Sequence, residues 1–371
     1  MKEVKKEIKV FWAMRFLAFL LIFFHHTPDL NSFIRIPTLA VSFFIIISGF
    51  LNGMIYNDRF NTIRIKEILS FVKKKMKTVY QIHLMMFLLT IPLTGVFNYN
   101  KFNQFYYWCK RAICNLSLTQ SWINNKEYYF GFNGVSWFLS TFLFLLTITI
   151  PAIVVLNKIK KKKNSKSIII FISVLLFIIS IIYDYVIKRN NLNLEYYLYV
   201  LPISRVPEYL IGLNFGILSN MISISSKDNK NIMWTIIELV AVIPIVLFII
   251  IKPVHLSILN NLLDIKNNWW IIPIVLILMI YKNEKGLISK IISNRLFVYF
   301  GKISMILFLI HQPLINYVYK AGINQNSMII KYSSFLYLLV ICIVLSAIID
   351  KLLTYRNKDY NMGGKIWNTI I

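Results

Sequence analysis

The stretch RFLAFLLIFFHH, residues 15–26, places a run of apolar side chains between an arginine and two adjacent histidines. The apolar run predicts a membrane helix, and its polar ends allow two interpretations. In the first, the helix is an anchor whose polar ends lie at the membrane interfaces. In the second, the polar ends belong to a reaction site that extends through the bilayer, because ionisable side chains inside membranes are costly and usually functional.

The composition of the whole chain indicates that lipid surrounds most of its residues. The protein has 371 residues, 57% of them hydrophobic, and a mean hydropathy of +0.63. A water-soluble fold has too little interior to bury so much apolar surface. No cleavage site of small residues follows the first apolar run, so we expect a retained helix rather than a signal peptide.

Hydrophobic segments recur along the chain, and most reach the length of about 20 residues that crosses a bilayer. We therefore predict an all-α polytopic bundle of ten membrane helices. It forms one domain over residues 1–356, and residues 357–371 form a cytoplasmic tail. The predicted segments are 11–27, 34–56, 78–98, 135–156, 167–187, 198–218, 233–251, 262–281, 297–317 and 329–351.

The basic residues predict the orientation of this bundle. The formal charge is +26, but the Lys and Arg residues lie mostly between the apolar segments, which argues against a nucleic-acid partner. Successive connections between the segments alternate between the two sides of the membrane. The side that includes the N-terminus carries 26 Lys and Arg, and the opposite side carries 8. The positive-inside rule then places both termini in the cytoplasm. We expect a multi-pass protein of the bacterial cytoplasmic membrane.

The longest predicted external connection, residues 99–133, has two features that the sequence leaves open. Its many aromatic residues are typical of a membrane interface or of a platform on which a sugar stacks. Its two cysteines, Cys109 and Cys114, are either a disulfide pair or two free thiols. Neither they nor Cys342 has the spacing of metal ligands, so we expect no metal site.

Arg15 and His26 project from the same face of the first helix, because eleven residues are close to three helical turns. The rise of 1.5 Å per residue separates them by about 16 Å along the axis. Arg15 lies toward the cytoplasm and His26 toward the outside. This spacing suits a long ligand whose anionic head is held at Arg15 and whose other end reacts at His26. Histidine is able to take a proton from a hydroxyl near neutral pH, whereas His25 projects about 100° away.

Motifs that follow in order along the chain resemble those of the acyltransferase-3 family of membrane O-acyltransferases. The first is the pair Arg15 and His26 itself. The others are FFIIISGFL (43–51), KKKMKTVY (73–80), WFLSTFLF (137–144), SRVPEYLIGLNFG (204–216) and GKISMILFLIHQPL (301–314).

The chain also departs from the family pattern. Lys74 and Lys77 stand where many members have arginines, which weakens the expectation of a bidentate phosphate grip. Phe142 stands where many members have a glutamate after W-x-L-S. If that carboxylate orients the histidine in those members, another residue must do so here. The candidates are Glu208, Asp29 and Glu127.

The resemblance implies an acetyltransferase with no bound cofactor. It moves an acetyl group, or another acyl group such as succinyl, from cytoplasmic acetyl-CoA or another acyl-CoA, a co-substrate. The acceptor is a sugar hydroxyl of a cell-surface or extracytoplasmic glycan or glycolipid. The resemblance implies His26 as general base and Arg15 as the second catalytic residue, on the entry path of the donor. It implies donor contacts at Arg15, Lys74, Lys77, Ser48, Gly49 and Lys302. Supporting positions are His25, Trp137, Ser140, Arg205, Glu208 and His311.

Several of these residues also have purely structural interpretations. Ser48 and Gly49 would allow a close helix contact, and Arg205 and Glu208 would neutralise each other as i, i+3 neighbours. His311 would hydrogen-bond a neighbouring helix. For the whole protein, the alternative is a transporter or flippase for a lipid-linked saccharide or anion. Such folds often contain internal repeats, and the two halves of this sequence show no convincing similarity.

Overall fold

The computed structural model describes residues 7–27, 37–98, 101–222, 231–251, 268–321 and 328–358. Within these ranges the chain is helical and contains no β-strand, which confirms the all-α prediction. The α-helices are α1 (Lys9–His26), α2 (Pro37–Tyr56), α3 (Ile65–Thr90), α4 (Phe102–Leu116), α5 (Lys126–Tyr129), α6 (Trp137–Lys160), α7 (Ser165–Arg189), α8 (Val206–Met221), α9 (Asn231–Ile251), α10 (Ile271–Tyr281), α11 (Leu287–Ile292), α12 (Arg295–Lys302), α13 (Ser304–Lys320) and α14 (Met328–Lys358).

The lengths of these helices support a polytopic membrane bundle. In the described ranges six of them, α1, α2, α3, α6, α7 and α14, are long and apolar enough to cross a bilayer. The pair α12 and α13 adds a seventh span if the two are counted together, although they are bent by 68°. Ten spans, cytoplasmic termini and the 1–356 domain remain predictions. Residues 359–371 of the predicted tail lie outside the described residues.

Three predicted segments differ from the helices observed. The third begins at Ile65 rather than at residue 78, so the basic cluster 73–77 lies inside a helix and not in a connection. The sixth is interrupted before Pro202, which has no backbone N–H to continue the preceding π-helical turn. The ninth is broken at Ile303, where α12 ends and α13 begins.

The most extensive helix contact joins α2 and α8. Each helix contributes two glycines spaced four residues apart, and a Cβ at any of these positions would collide with a carbonyl oxygen of the other helix. Close backbone approach matters here because lipid supplies no hydrophobic force between helices, which leaves packing contacts to hold them together. The glycines and the residues whose carbonyls they face are Gly49 with Tyr209, Gly53 with Leu213, Gly212 with Ile46, and Gly216 with Phe50.

Helix α1 packs against α2, α12 and α13 and is held firmly at its start. Glu284 accepts a hydrogen bond from the Val10 backbone N–H at 3.0 Å, which satisfies a donor that the first helical turn leaves free. Gly301 of α12 lies directly against the Trp12 carbonyl oxygen, where a Cβ would not fit. These contacts fix the position of α1, the helix that carries Arg15 and His26.

We predict that Gly49→Leu destabilises the fold by at least about 2 kcal/mol, because α2 and α8 must separate to admit the side chain. Thermal unfolding of the purified protein in detergent measures this. Ala347→Leu on α14 is the control, since Ala347 is only partly buried and leaves room at the lipid side. Equal melting temperatures for the two variants would contradict the close α2–α8 contact.

Candidate active site

His26 forms a hydrogen-bonded pair with His311 of α13. His311 Nε2 lies 3.2 Å from His26 Nδ1, and His26 Nδ1 also lies 3.0 Å from the Ile22 carbonyl oxygen. His311 Nδ1 lies 2.7 Å from the Phe308 carbonyl oxygen. Because a carbonyl oxygen can only accept, both Nδ1 atoms are assigned a hydrogen from this network. His26 Nδ1–H is therefore shared between Ile22 O and the acceptor nitrogen of His311.

This assignment leaves Nε2 of His26 without a hydrogen. Within the described part of the chain, no side chain or backbone group hydrogen-bonds to that nitrogen. A neutral imidazole whose Nε2 is free and whose Nδ1–H is held is the form that accepts a proton from a reacting hydroxyl. The pair with His311 thus presents His26 as a base.

His26 lines a cleft of about 410 Å³ at the end of the bundle that carries it, here called the acceptor cleft. Its volume is in the range of about 300–1,000 Å³ that is usual for small-molecule sites. Its walls combine aromatic rings with a few polar groups. The lining residues used below are His25, His26, Phe130, Trp137, Glu195, Tyr199, Phe308 and Gln312.

The segment between α4 and α6 fixes one wall of the acceptor cleft through buried hydrogen bonds. Asn115 Nδ2 donates to Ser136 Oγ at 3.1 Å, and Gln120 Nε2 donates to the Ser136 carbonyl at 3.1 Å. Ser121 Oγ donates to the Trp137 carbonyl at 2.9 Å. Trp137 is buried and lines the cleft.

A buried ion pair supports a second wall. Arg205 Nη1 lies 2.9 Å from Glu208 Oε1, which also accepts a hydrogen bond from Ser42 of α2 at 3.1 Å. The remaining guanidinium donors, Nε and Nη2, bond the Tyr199 carbonyl at 3.0 and 2.9 Å. Arg205 and Glu208 do neutralise each other, and together they hold Tyr199 at the cleft.

Arg15 is a buried cation without a counterion at the opposite end of α1. Its side chain is 4% exposed and forms no ion pair with any described residue. Its guanidinium carbon lies 5.4 Å from the Trp12 ring centre and 6.0 Å from that of Phe44, and its Nε has no hydrogen-bond partner. Aromatic faces offset only part of the cost of burying a charge.

Lys75 of α3 is a second buried cation in the same region. It is 2% exposed, and its Nζ lies 5.1 Å from the Tyr56 ring and 5.7 Å from the Phe71 ring. That Nζ has no hydrogen-bond partner among the described residues, and Arg15 is close enough for the two positive charges to interact. The region that contains these two buried side chains, Arg15 and Lys75, is here called the cation site.

A known protein family matches most of the chain. The family Acyl_transf_3, described as "Acyltransferase domain", matches residues 11–350. The chain belongs to this acyltransferase family. Its membership confirms the resemblance found in the sequence and shows a membrane acyltransferase. No curated protein and no solved structure matches the chain.

The lysines of the basic cluster on α3, where the acyltransferase was predicted to bind its donor, differ in their exposure. Lys74 and Lys77 are exposed on α3, and the buried lysine between them, Lys75, was missed. Helical spacing could have identified it, because Lys75 is four residues from both Phe71 and Val79, which are buried. Lys75 therefore falls on the apolar face of α3.

The remaining predicted donor residues have protein contacts of their own. Lys302 pairs with Glu7 at 2.9 Å. Ser48 Oγ donates to the Phe44 carbonyl of its own helix at 2.7 Å. Gly49 packs against α8, as described above. The Gly49 contact matches the structural interpretation, a close approach of two helices, whereas the Ser48 hydrogen bond lies within α2. The role of these residues toward the donor remains a prediction.

None of the carboxylates proposed to orient His26 is found beside it in the described structure. Glu208 bonds Arg205, and Glu127 pairs with Arg111 at 3.2 Å. Asp29 lies outside the described residues. At the position of the family glutamate, Phe142 stacks on Phe138. His311 performs the orienting hydrogen bond instead.

Two other supporting residues lie near the site. His25 lines the acceptor cleft, its ring centre is 5.2 Å from that of His26, and its Nδ1 has no hydrogen-bond partner among the described residues. Ser140, in the W-F-L-S motif of α6, is buried, and its Oγ likewise has no partner there. Neither residue contributes a contact that fixes His26.

We predict that Lys75→Met stabilises the ligand-free acyltransferase by about 1–4 kcal/mol, because an apolar side chain of similar length removes a buried charge. Thermal unfolding in detergent without acyl-CoA measures the change. Lys74→Met is the matched control and leaves the melting temperature unchanged, since Lys74 is exposed. A lower melting temperature for Lys75→Met would show that Lys75 already has a partner.

Proposed function

We propose that this acyltransferase transfers an acetyl group from cytoplasmic acetyl-CoA to a sugar hydroxyl of an extracytoplasmic glycan, with His26 as general base. The observation that carries the proposal is the free Nε2 of His26, which lines the acceptor cleft on the same helix as the buried Arg15. The bacterial cytoplasmic membrane is part of the proposal, and the distribution of Lys and Arg supports an orientation with both termini in the cytoplasm.

The proposed reaction is a direct acyl transfer. His26 Nε2 takes the proton of the sugar hydroxyl while the hydroxyl oxygen attacks the thioester carbon. The new C–O bond forms, the C–S bond breaks, and CoA leaves as a thiolate that takes the proton back from the imidazolium. Ile22 O and His311 Nε2 accept from Nδ1–H throughout and stabilise the positive charge that His26 acquires.

The cation site would bind the phosphates of the donor. Arg15 and Lys75 are buried and unpaired, so an incoming polyanion would gain their attraction in a region with little water to weaken it. Arg15 and His26 are separated by about 16 Å along the helix, and the extended pantetheine arm of acetyl-CoA would span this distance. Lys74 and Lys77, exposed on the same helix, would extend the site toward the solvent.

Membership of the acyltransferase family supports a chemical reaction over transport. No observation in the described structure favours the transporter or flippase that the sequence left as an alternative. Acetyl-CoA as the donor and a glycan as the acceptor extend the family assignment and are tested by the transfer reaction itself.

We predict that His26→Ala lowers acetyl transfer by about 10²- to 10⁴-fold, the usual contribution of a general base. The assay is transfer of label from acetyl-CoA to envelope glycan by the purified protein in lipid vesicles. His25→Ala, which removes the adjacent imidazole, reduces transfer much less. Transfer by His26→Ala at the wild-type rate would exclude His26 as the base.

We predict that His311→Ala lowers kcat by about 10- to 100-fold, because a hydrogen bond to a charged group contributes about 1.5–3 kcal/mol. The KM for acetyl-CoA stays unchanged, since His311 does not line the cation site. His311→Gln restores part of the rate, because its side-chain oxygen is again an acceptor. A raised KM with an unchanged kcat would assign His311 to donor binding instead.

A further inference from the structure

The acceptor cleft contains a carboxamide that the proposed reaction does not use. Gln312 follows His311 on α13, and its Oε1 is buried without a hydrogen-bond partner among the described residues. The carboxamide lies so close to Gly134 that a Cβ there would come within 2.9 Å of it. The absence of a side chain at Gly134 thus leaves space for an amide that has no protein partner.

The cleft also contains one carboxylate within the described residues that line it. Glu195 begins the π-helical turn Glu195–Val200, a conformation that is rare and frequent at functional sites. Its Oε2 accepts a hydrogen bond from Tyr129 Oη at 3.2 Å and lies 3.4 Å from Lys126 Nζ. Burial and the charge of Glu195 raise the pKa of Tyr129, which keeps the phenol protonated as the donor. Oε1 of Glu195 has no such partner among these residues.

We propose that Gln312 and Glu195 bind the acceptor sugar and that the cleft selects an uncharged sugar ring over a uronic acid or another anionic sugar. This proposal rests on the proposed function, because it concerns the acceptor of that reaction. Gln312 both donates to and accepts from ring hydroxyls, and the Glu195 carboxylate accepts from them. The aromatic rings of Trp137, Tyr199 and Phe130 supply the apolar wall against which a sugar face packs.

The place of Gln312 in the chain connects acceptor binding to the base. Gln312 and His311 are adjacent on α13, and His311 holds Nδ1 of His26. Gln312 and His26 also line the same cleft, so we place a hydroxyl bound by Gln312 near the free Nε2 of His26. Lys126 pairs with Oε2 of Glu195, whose side chain is 43% exposed. We assign the charge preference to Oε1, which has no partner among the described residues and would repel a second carboxylate brought into the cleft.

The test uses the purified full-length protein in lipid vesicles with labelled acetyl-CoA. Envelope glycans from the producing cells, separated by anion exchange into neutral and acidic fractions, serve as the acceptor probes. We expect Gln312→Leu to raise the KM for the neutral fraction about tenfold, as expected for one or two lost hydrogen bonds. The melting temperature of the variant in detergent checks that it folds. We expect Glu195→Gln to reduce the preference for neutral over acidic glycan.

Gln81→Leu is the matched control, because Gln81 of α3 also has an unpartnered, buried Oε1 but does not line the cleft. It leaves the KM for glycan unchanged. A Gln312→Leu variant with an unchanged KM, or a wild-type protein that labels mainly the acidic fraction, would overturn the proposal. If Gln312→Leu does not fold, as judged by its melting temperature, the isosteric Glu195→Gln variant tests the proposal by itself. A wild-type protein that consumes no acetyl-CoA would overturn the proposed function itself.

Discussion

The hydrogen bond between His311 Nε2 and His26 Nδ1 determines which nitrogen of His26 is free to react. It exists only because α1 and α13 meet at a fixed register at one end of the bundle. The Phe308 carbonyl fixes the tautomer of His311, and the tautomer of His311 fixes that of His26. A pair of neutral imidazoles orients His26, and Phe142 stands at the sequence position where many members of the family have a glutamate. Inside a membrane this solution avoids burying another charge.

The rest of the bundle holds α1 in place for this pair. Glycine-mediated contact between α2 and α8 brings their backbones together, and Gly301 brings α12 against Trp12 of α1. The Arg205–Glu208 pair joins α8 to α2 and to Tyr199, so one buried network supports both packing and the cleft. Toward the start of α1, Arg15 and Lys75 form no ion pair with the described residues. A bound anion would supply the counterion that these two buried cations lack there.

The sequence predicted those parts of the molecule that depend on a single helix. Apolar segments defined the helices, and the three-turn spacing placed Arg15 and His26 on one face of α1. Contacts between segments that lie far apart in the sequence were harder to predict. The pairing of His26 with His311 crosses 285 positions, and the sequence left His311 between a structural and a site role. Glu195 was missed because a π-helical turn has no simple sequence pattern. Lys75 was missed because the basic cluster was assigned to a connection. Its spacing of four residues from Phe71 and Val79 nevertheless indicates that it lies on the buried face of α3.

In the proposed reaction, the donor enters at the cation site on one side of the membrane and the acceptor binds in the acceptor cleft on the other side. Vesicles that contain the protein in one orientation, with glycan enclosed and labelled acetyl-CoA supplied outside, test it directly. We expect the enclosed glycan to be labelled when the Arg15 end of α1 faces the added acetyl-CoA, and to remain unlabelled when the orientation is reversed. Labelling that requires acetyl-CoA and glycan on the same side of the membrane would contradict it.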